Sequence, residues 1–217
     1  MSTRDRLANL YESYLKKRPR QSRSRLAVES ILRAALERLE GAAGDEATLK
    51  VEEIAARAGV GVASLYDYFP DRQKLLLGLT AKVTEKNLLE FEALLGEVRL
   101  LPLREGLTKV VEFAFEKYFR DGRLTRSYVR IAAAGDFYPY LVRSQDVIAQ
   151  VLAADLAKRE EVTVSDPDVA AWLLTHNLMG TILTLVVDDQ HRIDKERIKA
   201  GYVEMAYRYL TAPSSSG

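Results

Sequence analysis

The sequence predicts an all-α protein on three observations. Apolar residues recur at three- and four-residue spacing through most of the chain, and no alternating run of β-branched residues looks like a strand. Prolines are few (19, 70, 102, 139, 167 and 213), and most fall between the apolar-periodic segments, where they start or stop helices. Gly59 separates two short periodic segments in the order helix, glycine turn, helix.

Each element follows from its own pattern. From Asp5 to Arg18, residues Leu7, Leu10, Tyr11, Tyr14 and Leu15 make one apolar stripe, so this segment is expected to be an amphipathic helix, and Lys16 to Arg25 reads as a basic arm. Helices are then expected over 24–40, 51–58, 62–69, 71–97, 103–121, 124–134, 137–160, 166–188 and 194–211. In 51–58 the apolar positions Val51, Ile54, Ala55 and Ala58 form a buried stripe. Gly59 ends that helix, because glycine takes the left-handed turn conformation without steric cost. In the next helix Leu65 and Phe69 face inward. Segment 166–188 is apolar almost all round from Ala170 to Val187, so it is expected to be covered on both sides. Segment 194–211 carries Ile198, Tyr202, Met205 and Tyr209 on one face. Residues 41–45 and 214–217 read as loop and tail, and no internal repeat is visible.

Composition narrows the function. A chain of 217 residues holds one large domain or two small ones. It contains no cysteine, which excludes disulfides, thiolate nucleophiles and thiolate metal sites. No apolar run reaches the roughly 18 residues of a membrane span, and the charged start does not read as a signal peptide, so a cytoplasmic protein with no membrane partner is expected. Net charge is only +1, but it is unevenly placed. Residues 1–25 carry eight basic residues against Asp5 and Glu12, whereas the chain from Asp71 onward is near neutral. A basic end on a neutral body suits a module that touches phosphate at that end.

The helix–glycine turn–helix unit is the plan whose second helix enters the DNA major groove. Its surroundings make it more specific: Ile31 to Leu36 precede it, Ile54-Ala55-Ala56-Arg57-Ala58-Gly59-Val60 and Leu65-Tyr66-Asp67-Tyr68-Phe69 form it, and Phe69 to Leu76 follow. In this order the run, over roughly Arg23 to Leu76, resembles the amino-terminal domain of the TetR/AcrR family of one-component transcriptional regulators. The resemblance implies a three-helix DNA-binding domain (23–70) after an extension (1–22), then a larger helical effector-binding and dimerisation domain (71–217). It also implies a homodimer on a palindromic double-stranded operator, with the last two helices of each subunit forming a four-helix bundle. Here those helices offer Asn177, Gly180 and Thr184, and Tyr202, Met205 and Tyr209. An ordinary monomeric core is the other reading of the same faces.

By position in the motif, Val62, Ala63 and Ser64 open the recognition helix and are placed to meet base edges, the first two through apolar contact and Ser64 through hydrogen bonds. Tyr66 and Tyr68 match family positions that bond phosphate, and each is otherwise a plain surface or core tyrosine. Glu52 matches a position that reaches DNA in some members and reads equally as a solvated carboxylate. Arg72 stands where a phosphate-binding lysine is usual, and Arg23 and Arg25 belong to the basic arm. Besides Arg72, the chain departs from the pattern at two places, and one residue is unusual. Gly61 replaces a capping serine, Lys50 replaces a capping threonine (leaving Thr48 to cap one turn early), and Asp67 brings a carboxylate among phosphates. Asp67 accepts from a cytosine amino group or pairs with a neighbouring arginine such as Arg72.

No catalytic constellation is present. His176 and His191 are far apart in sequence, adjacent glutamates such as Glu160-Glu161 point to different helix faces, Asp188 to His191 reads as a polar cap, and there is no phosphate-cradling glycine loop. No cofactor or metal is expected. A mainly apolar small-molecule site is expected in the second half, from Phe115, Tyr118, Tyr128, Phe137, Trp172 and His176, each of which also reads as core. A DNA-binding architectural protein without an effector is the competing hypothesis.

Overall fold

The computed structural model describes residues 15–16, 19, 21–41, 50–120, 138–187 and 193–212. Among them every regular element is a helix: α1 (Ser22–Gly41), α2 (Val51–Ala58), α3 (Val62–Tyr68), α4 (Arg72–Val98), α5 (Leu103–Phe119), α6 (Tyr138–Leu156), α7 (Pro167–Val187) and α8 (Lys195–Leu210). The helix expected at 124–134, Thr48 and the Asp188 to His191 segment lie outside the described residues, as does the helix expected at 5–18 apart from Leu15 and Lys16, which form a bend. Two compact units emerge. The first holds α1 to α3, α4 as far as Lys86 and the first turn of α6 to Leu141; the second holds α4 from Asn87, α5, α6 from Val142, α7 and α8.

The first unit is built on the predicted stripes. Ile31, Ala35 and Leu39 of α1 are fully covered, and they meet Ile54 and Ala55 of α2, Leu65 of α3 and Leu75 and Leu79 of α4 in one core. Phe69, just past α3, and Tyr140, from the first turn of α6, are also fully buried in it. Truncating a fully packed leucine such as Leu65 to alanine costs about 2–5 kcal/mol.

Helix starts in both units use aspartate where the sequence supplies one. Asp71 Oδ1 accepts from the Lys74 amide at 2.7 Å, Asp166 Oδ1 from Val169 at 3.0 Å, and Asp194 Oδ1 from Glu196 and Arg197 at 2.8 and 3.2 Å. Each satisfies amides that a helix leaves unpaired, and Pro167 fits the first turn of α7 because it has no amide to satisfy.

In the second unit α5 packs against α7 and α8. Leu107, Val111 and Phe115 of α5, Leu174, Leu178 and Ile182 of α7, and Val203, Ala206 and Leu210 of α8 are buried. Helix α6 ends at Leu156, four residues before the predicted end. Arg159 turns inward there: its guanidinium donates to the carbonyls of Val98 (2.7 Å) and Leu101 (3.1 Å) and to Asp155 Oδ2 (3.3 Å). Gly106 makes room, since a Cβ there meets Arg159 Nη2 at 3.2 Å. Glu161, with both carboxylate oxygens 3.1 Å from the Leu103 amide, caps α5 where Pro102 offers no side-chain acceptor.

By length and composition α7 is long and apolar enough to cross a membrane, contrary to the expectation from run length, although half of its most apolar window is buried within the protein. The expectation that it is covered on both sides is met on one side within the chain. Val169, Trp172, Leu173 and Val187 remain 46–69 % exposed.

Candidate nucleic-acid interface

Gly59 has φ 69° and ψ 29°, the left-handed conformation its place required, and its amide is shared between the carbonyls of Ala55 and Ala56. Val60 then donates to Ala55 O at 3.0 Å, closing the turn. Helix α3 starts at Gly61 with no side-chain cap and ends as the Phe69 amide bonds Leu65 O. Anchored by buried Leu65 and Phe69, it turns Val62, Ala63, Ser64, Tyr66 and Asp67 outward. Val62 and Tyr66 are 38 % and 42 % exposed, and an apolar and a phenolic side chain both stay outside the core.

Around this helix stand exposed Arg72, at the first position of α4, and exposed Lys50 and Glu52 at the start of α2. Lys50 Nζ lies 3.5 Å from Glu53, which also pairs with Arg38, and Arg57 pairs with Glu37 at 2.7 Å. The pairs Arg38–Glu53 and Arg57–Glu37 join α1 to α2, and each exposed pair is worth at most about 1 kcal/mol. Arg23 and Arg25, expected on a basic arm, stand instead in the first turn of α1; both are exposed, and Arg25 Nε donates to Pro19 O at 3.4 Å.

Two expectations need correction here. Tyr68 is 9 % exposed and belongs to the core, since its place on the short helix carries the ring inward beside Leu65. Asp67 and Arg72 form no ion pair with each other: Asp67 is on the outer face of α3, and Arg72 lies beyond the bend at Phe69 to Asp71.

The residues expected around an effector fall into two clusters. Phe115 is buried and stacks on Phe119 with centroids 5.5 Å apart; Lys195 and Lys199 of α8 lie over these rings at 3.9 and 6.0 Å. Tyr118, one position before Phe119, has its phenol pushed up to about 12 by burial. On α7, Trp172 stacks on His176 at 4.1 Å, and its Nε1 donates to Asp146 of α6 at 3.0 Å. Sequence reading missed Asp146, which is 26 residues away on another helix. Tyr128 and Phe137 lie outside the described residues.

Of the expected interface residues, Asn177, Gly180 and Thr184 form an exposed stripe on α7, and Met205 and Tyr209 are 45 % and 38 % exposed on α8. Tyr202 does not join them. It is 8 % exposed, and its hydroxyl donates to Leu174 O at 2.5 Å, pinning α8 to α7 within one chain. Burial holds that phenol well above the usual tyrosine range.

Residues 102–210 match the domain described as tetracyclin repressor-like, C-terminal domain, and residues 31–79 match the domain described as bacterial regulatory proteins, tetR family. The chain belongs to the TetR family. It is a TetR-family transcriptional regulator with a DNA-binding helix-turn-helix and an all-α fold. No curated protein matches it, but 90 solved chains do. A TetR-family regulator from Mesorhizobium loti is 19 % identical over 88 % of this chain and 98 % of its own, with a TM-score of 0.65. The multidrug binding protein EbrR, complexed with imidazole, is 19 % identical over 88 % and 98 %, with a TM-score of 0.60. SmeT, the repressor of the Stenotrophomonas maltophilia multidrug efflux pump SmeDEF, is 26 % identical over 82 % and 87 %, with a TM-score of 0.52.

Proposed function

We propose that this TetR-family regulator is a homodimeric, cytoplasmic repressor that binds a palindromic operator in double-stranded DNA and is released by a small, mainly apolar effector. One observation carries the reading: α3 exposes Val62, Ala63, Ser64 and Tyr66 while Leu65 and Phe69 fix it to the core. A short helix held from behind presents its outer face to a groove without its own flexibility opposing binding. In this reading residues 23–70 form the DNA-binding domain and 71–217 the effector and dimerisation domain.

Val62, Ala63 and Ser64 read base edges; Tyr66, Arg72 and Lys50 hold phosphates, with Glu52 at the margin and Arg23 and Arg25 steering from the first turn of α1. The exposed stripes of α7 and α8, with Asn177, Gly180, Thr184, Met205 and Tyr209, support the dimer. Nothing lies within 4 Å of a Cβ built on Gly180, so a second copy's helix has room to approach there. The two clusters around Phe115 with Tyr118, and Trp172 with His176, are the proposed effector walls, together with Tyr128 and Phe137. EbrR, complexed with imidazole, and SmeT, an efflux-pump repressor, are precedents in the same fold for ligand binding and for repression.

The test is selection of bound DNA from a random pool, followed by binding of variants to the selected site at several salt concentrations. Tyr66→Phe and Arg72→Ala should weaken binding to every sequence, and Arg72→Ala should flatten the salt slope by about one. Ser64→Ala should instead alter which sequence is preferred, by about 1–3 kcal/mol at the contacted base. Gly180→Glu and Met205→Glu should give monomers in sedimentation. Equal loss on all sequences for Ser64→Ala, or unchanged dimers for both charged variants, refutes the corresponding assignment.

A further inference from the structure

His176 sits between two acceptors. Its Nδ1 lies 2.9 Å from the carbonyl oxygen of Trp172, one turn earlier on α7, and its Nε2 lies 3.5 Å from Asp146 Oδ1 on α6. A carbonyl and a carboxylate can only accept. A neutral imidazole carries one N–H, so either tautomer turns a lone pair toward an oxygen. Nε2 is buried and makes no hydrogen bond as it stands. Only the imidazolium, with a hydrogen on each nitrogen, satisfies both oxygens.

The surroundings are arranged for that form. Asp146 Oδ1 is held by the Trp172 indole N–H at 3.0 Å, so the carboxylate is fixed before the histidine reaches it. The imidazole lies over the Trp172 indole with centroids 4.1 Å apart and planes 24° from parallel, and a cation there gains a cation–π contact. A proton on Nε2 converts a lone pair facing a carboxylate into a charge-assisted hydrogen bond, which draws the two groups closer.

Among the described residues, the charges on α5 and α8 are largely paired elsewhere or exposed. On α5, Lys117 is paired with Glu90 and Glu116 with Arg120, while Lys109 and Glu112 are exposed. On α8, Lys199 is paired with Glu196, and Glu204 with Arg104 and Arg208. Along the two helices themselves the next ionisable groups are Arg143, one turn before Asp146, and Asp168, one turn before Trp172.

We infer that His176 is a proton-binding site that latches α7 to α6 through Asp146, with Trp172 as its reporter. Proton uptake strengthens the joint between the two helices, and loss of the proton loosens it.

Trp172 is the single tryptophan of the chain, so fluorescence of the full-length protein excited at the red edge, where tyrosine does not absorb, reads this cluster. An imidazolium stacked on indole quenches its emission by accepting charge from the excited ring. Emission should therefore fall as the pH is lowered, along a one-proton curve, with circular dichroism unchanged. His176→Gln should abolish the curve. Asp146→Asn, which still accepts from the Trp172 indole, should move its midpoint to lower pH. Should His176→Gln fail to fold, proton NMR of the wild-type imidazole C–H signals replaces it, and the His176 signal should share the fluorescence midpoint. A flat profile, a curve that survives His176→Gln, an unmoved midpoint in Asp146→Asn, or an NMR midpoint differing from that of fluorescence overturns the inference.

Discussion

Arg159→Met should be among the most damaging single changes in the second unit, and the structure gives its size. The Arg159 side chain is 6 % exposed and makes three bonds, two to carbonyls at and just beyond the end of α4 and one to Asp155. Hydrogen bonds from a charged donor are worth about 1.5–3 kcal/mol each, and removing one partner of a buried ion pair costs about 3–5 kcal/mol. These losses overlap, because Asp155 keeps Arg99 at 3.0 Å and Arg99 is half exposed. A total of about 3–5 kcal/mol follows, a large share of a typical 5–15 kcal/mol. The assay is urea unfolding followed by Trp172 emission at fixed pH, reading a lower midpoint at unchanged slope. Adding Asp155→Asn should cost less on top of Arg159→Met than in the wild type, with a coupling above about 1 kcal/mol, because the carboxylate has already lost its partner. A single-variant loss below about 1 kcal/mol, or strict additivity, would refute the view that Arg159 holds the ends of α4 and α6 together.

Two further outcomes test other parts of the fold. Gly59→Ala should destabilise by about 1–2 kcal/mol, a purely conformational cost, because no atom lies within 4 Å of the added Cβ while φ is 69°; Gly59→Asn should lose less and Gly59→Val more, as thermal unfolding would show. Alkaline titration followed by tyrosinate absorbance should find Tyr118 ionising only near pH 12. Because its proton is held more tightly in the folded chain, stability should be unaffected below about pH 10 and fall as pH rises from there through the folded value, and Tyr118→Phe should flatten that fall.

Much of this protein was legible in its sequence. Val51, Ile54, Ala55, Ala58 and Gly59 specified α2 and its turn residue by residue, because helix periodicity and glycine's left-handed freedom act within a few residues. The outward face of α3 followed in the same way, since a helix anchored by Leu65 and Phe69 has only one face left. Tertiary packing decided what periodicity leaves open. Tyr68 and Tyr202 each carry both an apolar ring and a hydroxyl; spacing alone does not say whether the ring is buried or offered to a partner, and here both rings are buried. The end of α6 at Leu156 depends on the carbonyls of Val98 and Leu101, and the state of His176 depends on Asp146. Those partners lie far away along the chain, Val98 being 61 residues from Arg159 and Asp146 being 26 from Trp172. A hydrogen bond or ion pair acts over a few ångströms of space whatever the separation along the chain. The sequence by itself therefore determined the described helices and the outward side of α3 opposite Leu65 and Phe69, and only the folded arrangement of α4, α6 and α7 decided which polar groups meet.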